Sequence, residues 1–403
     1  MLRKIRHRLA SASRDIRLFS AVIALLGFGQ AVFDSVFNNF LNDTFAITSL
    51  QRSLLEFPRE LPGLLVVFVS ALLFFMCSRR LAALALFLQG LGLVLMTLFG
   101  SHWSGLLVWL FVLSLGQHLF LPLSSSLGME LARKGAAGKR LGQFNALRNL
   151  TTILGSFLVY LGFRYLHFSF KLSFMIAAAG FFCAAYCLFL MEPDKPQPAR
   201  LRLKLHREYG LFYWLNVLYG TRKQIFLTFA PWVLVTIFHQ PTQMVAKLLV
   251  VGGITGIVFQ PILGKAIDRL GEKKILAAEA VLLVFVCLGY GFSRSFFGGQ
   301  AAFLIAAVCY VADQMLISVS MARATYLKKI ALDPEHVAPT LSMGMSIDHF
   351  FSIAIALAGG VIWFRYGYQY VFLCAALIAV VNFFSVLRIR VPVSRSIPDA
   401  GVT

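Results

Sequence analysis

The sequence predicts an all-α polytopic membrane protein, with twelve transmembrane helices in two pseudo-symmetric six-helix bundles. Three observations predict it. Hydrophobic residues make up 59% of the 403-residue chain and charged residues 13%, about half the charged share of a soluble protein, and the mean hydropathy is +0.78. Twelve apolar stretches each approach the ~20 residues that cross a bilayer as helix. A Pro-rich and then basic segment, 191–210, divides them six and six. A soluble fold of this size has too little interior to hide so much apolar surface, 39 Phe included. The composition therefore excludes a soluble enzyme, a disordered chain and a disulfide-stapled secreted domain. No enzymatic activity and no cofactor are expected.

In chain order the stretches are 18–40, 52–76, 81–100, 105–129, 144–163, 170–190, 211–238, 243–265, 275–293, 301–325, 341–363 and 369–387. The first is not a signal peptide: it is too long, contains Asp34 and leads straight into another span. Pro58 and Pro62 predict a bend in the second. An even number of spans puts both termini on one side, and the basic residues say which. Arg3, Lys4, Arg6, Arg8, Arg79, Arg80, Lys139, Arg140, Lys204, Lys273, Lys274, Lys328, Lys329, Arg388 and Arg390 fall on the terminal side, against Arg52, Arg164, Lys171, Arg294 and Arg365 opposite. That asymmetry predicts cytoplasmic termini in a plasma membrane of the bacterial inner-membrane kind.

The expected organisation is a basic N-terminal segment (1–17), a first bundle (18–190), a cytoplasmic linker (191–210), a second bundle (211–387) and a tail (388–403). The halves echo each other: Leu18-Phe19…Gly27 recurs as Leu211-Phe212…Gly220, and Phe163-Arg164-Tyr165 as Phe364-Arg365-Tyr366. Parallel six-helix repeats of this kind are a transporter architecture. The net charge of +20 is spread over short runs between spans, which is topology rather than a nucleic-acid footprint. Cys77, Cys183, Cys187, Cys287, Cys309 and Cys374 have neither zinc nor redox spacing and are expected as buried apolar residues.

Between spans 8 and 9 runs Gly264-Lys265-Ala266-Ile267-Asp268-Arg269-Leu270-Gly271-Glu272-Lys273-Lys274, and span 11 carries Gly359-Gly360 followed by Gly367-Tyr368-Gln369-Tyr370-Val371-Phe372. The first run resembles the G-x-x-x-D-R-x-G-[RK]-[RK] loop of the major facilitator superfamily of secondary transporters, and the second is similar to that family's span-11 glycine pair. The resemblance extends over essentially the whole chain and implies alternating access. It makes Gly264, Asp268 and Arg269 a gating latch, where the residues alone read first as a solvated loop with ordinary topogenic charge. The first-half loop, Met76-Cys77-Ser78-Arg79-Arg80, lacks the family's Asp. Span 4 offers Gln117 and His118 where many members carry Arg, and span 5 lacks the G-P-x-x-G-G motif of drug–proton antiporters.

Ionisable groups inside apolar spans are functional candidates because they need partners or water. Gln30, Asp34 and Asn38 recur every four residues in span 1; Asn145, Arg148, Asn149 and Thr152 share a face of span 5; Ser342, Met345, His349 and Ser352 share a face of span 11. By the resemblance, spans 1, 4, 5, 7, 10 and 11 line a central cavity, while spans 3, 6, 9 and 12 face lipid. At 1.5 Å per residue, Arg148 lies ~10 Å from the cytoplasmic end of its span, and Arg222 and His349 ~14–18 Å from theirs. Asp313 reaches ~20 Å from outside and joins that layer, whereas Asp34, Glu56, Arg59 and Glu60 form an outer one, ~9–15 Å deep.

The outer layer reads either as satisfied ion pairs or as an outer gate made of Glu56, Arg59 and Glu60. In the central layer, Arg148, Arg222 and Lys223 outnumber the acids and favour a small organic anion, with Asn145, Asn149, Gln117 and His118 as further contacts. Asp313, Asp348, His349 and Asp34 are the candidates for proton coupling. The alternatives are a copper-type metal transporter using Met345 and His349, and a non-transporting receptor or assembly factor on the same scaffold. Expected partners are a small-molecule substrate, protons and the lipid bilayer, with no nucleic acid, and the chain is expected to act as a monomer.

Overall fold

The structure, a computed structural model, describes the backbone of residues 2–72, 76–100, 102–132, 137–194, 206–333 and 336–390. Among these, the side chains of 2–13, 66–72, 137–139, 338–339 and 342 are not described. Most of the predicted linker, with Lys204, and residues 391–403 of the tail therefore lie outside the described residues. So do the side chains of Arg3, Lys4, Arg6, Arg8, Lys139 and Ser342.

Fourteen α-helices among the described residues make twelve crossings, and no strand accompanies them. In the first half these are α1 (Leu2–Phe45), α2 (Ser49–Leu54) with α3 (Glu56–Leu72), α4 (Ser78–Phe99), α5 (Trp103–Glu130), α6 (Ala137–Tyr165) and α7 (Phe170–Phe189). The second half has α8 (Gly210–Thr236), α9 (Thr242–Leu270), α10 (Glu272–Phe296), α11 (Gly299–Ile317) with α12 (Ser320–Ile330), α13 (Val337–Tyr366) and α14 (Tyr368–Val386). Twelve crossings return the chain to the side it left, here called the near side; the opposite one is the far side.

Ten of these crossings are long and apolar enough to span a membrane. The other two, α2–α3 and α8, are the ones that carry Glu56, Arg59 and Glu60, and Arg222 and Lys223. Span 2 is broken rather than merely bent. A capping box starts α2, with Thr48 Oγ1 accepting from the Gln51 N–H and Gln51 Oε1 accepting from the Thr48 N–H at 2.9 Å. Pro58 then has no N–H to offer the Leu54 carbonyl, and the helix restarts at Glu56. Between α9 and α10, Gly271 holds φ +80°, a backbone state that a side chain would strain. The last glycine of the Asp268-Arg269 loop thus has a structural reason of its own.

Each half has its own core. Phe19, Phe33, Leu86, Leu110, Phe174 and Phe181 close the first, and Phe226, Phe229, Tyr290, Phe372 and Ala376 the second. Phe87, Tyr186, Phe285 and Phe384 stand exposed on α4, α7, α10 and α14, as hydrocarbon-facing side chains do. The halves meet along two seams, α6 against α9 and α13 against α2 and α3. Only 22% of the apolar window of α6, of α9 and of α13 is buried, against 56% for α4 and 50% for α7. Much of the surface of the seam helices is therefore left exposed.

Two sequence expectations are corrected here. Arg52, counted as a loop charge, is 0% exposed inside α2. The cysteines are not uniformly buried: Cys77 and Cys287 are, but Cys183 is exposed and the rest are intermediate.

Candidate functional site: an inter-half cavity closed on the far side

On the far side, Glu56 binds the halves together. Its fully buried carboxylate accepts from Arg52 at 2.6 Å, from Arg59 at 2.9 Å and from Gln224 of α8 at 3.0 Å. Arg52 also donates to Asn38 of α1 at 3.2 Å. Two short helices and one helix of the other half thus converge on a single carboxylate, which offsets the cost of burying it. Beside this cluster Asn39 donates to the Gln240 carbonyl at 3.0 Å. Ser53 packs so closely on Gly360 of α13 that a Cβ there would sit 2.0 Å from its hydroxyl. The predicted outer layer is both sets of things at once: satisfied ion pairs, and contacts that join the halves.

One turn further along α3, Glu60 Oε2 lies 2.8 Å from His349 Nδ1 of α13. The His349 ring stands edge-on to His118 of α5, with centroids 5.0 Å apart. The outer and central layers are therefore continuous, not separate. Gly63 makes this approach possible: a Cβ there would come within 2.7 Å of both imidazoles. His118 Nδ1 is in turn 3.0 Å from the Ser114 carbonyl oxygen.

The central cations divide by which way α8 turns them. Arg222, 1% exposed, points into the second bundle, where it pairs with Asp313 of α11 and lies over the Phe226 ring. Two of its nitrogens, Nε and Nη2, have no hydrogen-bond partner among the described residues. The expectation that Arg222 reaches a ligand between the halves is not met in this conformation, because successive side chains leave a helix ~100° apart. Lys223 takes that direction instead, half-buried, and binds Asp348 of α13 at 2.9 Å.

In the first half, Arg148 is half-buried and makes no ion pair among the described residues. Its electrostatic neighbour is Asp34 of α1, which also lies within reach of Arg59 and accepts from Gln30 at 3.0 Å. Asp34 is exposed, although it sits in the middle of a spanning helix and its neighbours Phe33 and Val36 are buried. Such exposure describes a group facing open space inside the molecule. Asn145 is exposed and Gln117 and Asn149 are half-buried on the same walls. Met345, four residues before His349 on α13, is 54% exposed.

The near side shows the opposite picture. Asp268 and Arg269 are exposed and form no ion pair among the described residues. Leu332 is exposed as well. Ion pairs here stay within each half: Arg79 with Asp15 at 2.6 Å and Glu130 at 2.8 Å, Arg323 with Glu279 at 2.9 Å, Lys329 with Glu272 at 2.7 Å. These pairs, and Asp194 at the start of α4, were not singled out from the sequence, whose spacing cannot reveal partners on other helices. Among the described residues, the hydrogen bonds that join the halves lie towards the far side, and the near-side ion pairs stay within each half.

The profile of the Major Facilitator Superfamily matches residues 20–331. The chain belongs to that superfamily. It is an integral membrane protein with a transporter fold, as solved members of the superfamily are. No curated protein sequence is significantly similar to it. A D-xylose–proton symporter is similar in structure with a TM-score of 0.73 at 14% identity, covering 94% of this chain and 98% of its own. The human organic anion transporter MFSD10 (TETRAN) gives 0.64 at 13% identity, covering 93% and 99%. The xylose transporter XylE from E. coli, in a partially occluded inward-open conformation, gives 0.67 at 14% identity, covering 93% and 98%.

Proposed function

We propose that this facilitator moves a small organic anion across the plasma membrane, the inner membrane of a bacterium, by alternating access coupled to protons. Both termini and the segment 191–210 lie in the cytoplasm, so the side on which the halves share no ion pair among the described residues faces inward, and the chain acts as a monomer. Similar folds carry xylose with protons in one relative and organic anions in another. The fold thus leaves the cargo open, and the charges of this cavity have to decide it.

Arg148 is the observation that carries the reading: a guanidinium in the cavity with no ion pair, among the described residues, to neutralise it. A cation held in a low-dielectric space gains most from a bound anion, and the planar guanidinium suits bidentate carboxylate or phosphate. Lys223 supplies a second cation from the other half, released by Asp348 when a ligand competes. Asn145, Asn149 and Gln117 offer neutral donors on the same walls.

Asp34 is the coupling carboxylate in this scheme. Facing Arg148, it is the internal counter-charge that an incoming anion must displace. A proton on Asp34 removes that counter-charge and favours anion binding. Asp313, held by Arg222, keeps the second bundle together. The Glu56 cluster acts as the far-side gate, and Asp268 and Arg269 latch the near side in the opposite conformation.

A thermal-shift screen of the purified protein against carboxylates, phosphates, amino acids and neutral sugars tests the substrate class. Stabilisation by an anion, lost in Arg148→Gln, is the expected result. Stabilisation by neutral sugars alone, or an anion effect unchanged in Arg148→Gln, would overturn it.

A further inference from the structure

Glu60, His118 and His349 come from three helices and both halves, and each presents one ligating atom within 4.8 Å of the others. We propose that they form a binding site for a divalent first-row transition-metal ion of the zinc, cobalt or nickel kind, and that an ion held there locks the far side shut. Zinc–nitrogen and zinc–oxygen bonds of about 2.0–2.2 Å place tetrahedral donors ~3.4 Å apart. The three groups need to close by ~1.5 Å at most to reach that spacing, and Glu60 and His349 already stand at 2.8 Å.

Three features of the surroundings favour a metal. The Ser114 carbonyl lies 3.0 Å from His118 Nδ1. An N–H donated there fixes the tautomer that leaves Nε2 as a lone-pair donor, the arrangement that usually orients a metal-binding histidine. Gly63 has no side chain to hold the two rings apart. The nearby cations, Arg59 and Lys223, are each neutralised by another carboxylate, Glu56 and Asp348. Glu60 thus keeps its side-chain hydrogen bonding, among the described residues, for His349.

Two imidazoles and a carboxylate select borderline metals over the soft ones that Met345 and the cysteines would take. His118 is buried, while Glu60 and His349 are half-buried next to the cavity, so the ion enters from the near side and water completes its shell. Opening the far side pulls α13 away from α3 and α5, which an ion bridging all three resists.

Titrating the purified full chain in nanodiscs with zinc by calorimetry, and with cobalt by absorption, tests the site without any anion. Its failure would leave the anion reading untouched. One equivalent is expected to bind, with a cobalt spectrum free of thiolate charge-transfer bands. His118→Gln and His349→Gln should each weaken binding ~10-fold or more, and the near-isosteric Glu60→Gln gives the same readout if either of those fails to fold. Unchanged affinity in the variants that fold, or a sulfur-to-cobalt band assigning the ion to Cys183 and Cys187, would overturn the proposal. Spin labels at Asp43→Cys and Gln243→Cys, with the native cysteines replaced, report the lock. Zinc should narrow their separation to the closed value, and a distribution that ignores zinc sinks that part.

Discussion

Glu56 shows how a single residue can be legible in the sequence while its role is not. A Glu inside an apolar span announces itself, but its donors come from α2, α3 and α8, and only the folded chain reveals that it joins the halves. Replacing Arg52 by Leu leaves that buried carboxylate short of one charge partner. Unfolding of the purified protein should then show a loss of about 3 kcal/mol; an unchanged midpoint would mean that Arg59 and Gln224 suffice. Arg222 and Lys223 teach the complementary lesson. Both were readable as intramembrane cations, yet neighbours on a helix point ~100° apart, and hydropathy does not say which direction faces the cavity. Arg148, Asp34 and the asparagines of α6 were readable from helical spacing as polar positions that share a face.

At the scale of elements, twelve crossings and the bend in span 2 followed from apolar run lengths and Pro58. The break between α11 and α12 carried no such signal, and nothing in the structure explains it. Long-range capping is likewise invisible to spacing. The N–H groups of Ser78 and Arg79, at the start of α4, donate at 3.1 Å to the carboxylate of Asp194 beyond α7. Burial pushes the Asp194 carboxyl up, but those backbone hydrogen bonds outweigh it and hold the group below the usual carboxylate range. A group depressed in the folded state stabilises above its unfolded value, about 3.9, and the benefit fades as pH falls through the folded value. Asp194→Ala should therefore cost about 1 kcal/mol at pH 7. The gap between its melting curve and that of the parent should shrink towards pH 3; a gap independent of pH would assign the effect to packing.

Among the described residues of the whole molecule, far-side contacts join the halves and near-side ion pairs stay within each half. The Asp268-Arg269 loop forms no ion pair among the described residues, and the latch proposed for it would act in the opposite conformation. Asp268→Asn should raise the share of far-side-closed molecules, read as a shift in labelled distances across the near-side rim. Identical distributions in variant and parent would reduce the loop to topology. The division into two halves was legible because the basic linker and repeated end-motifs lie in the chain itself. The conformation was not, since one sequence must support both.

The central claim, an anion carried with protons past Arg148, which has no ion pair among the described residues, is tested most directly by uptake into proteoliposomes under an imposed pH gradient. With the anion that stabilises the protein most, the parent should accumulate substrate. Arg148→Gln should not, and Asp34→Asn should exchange substrate without concentrating it. Full gradient-driven accumulation in both variants would contradict the account.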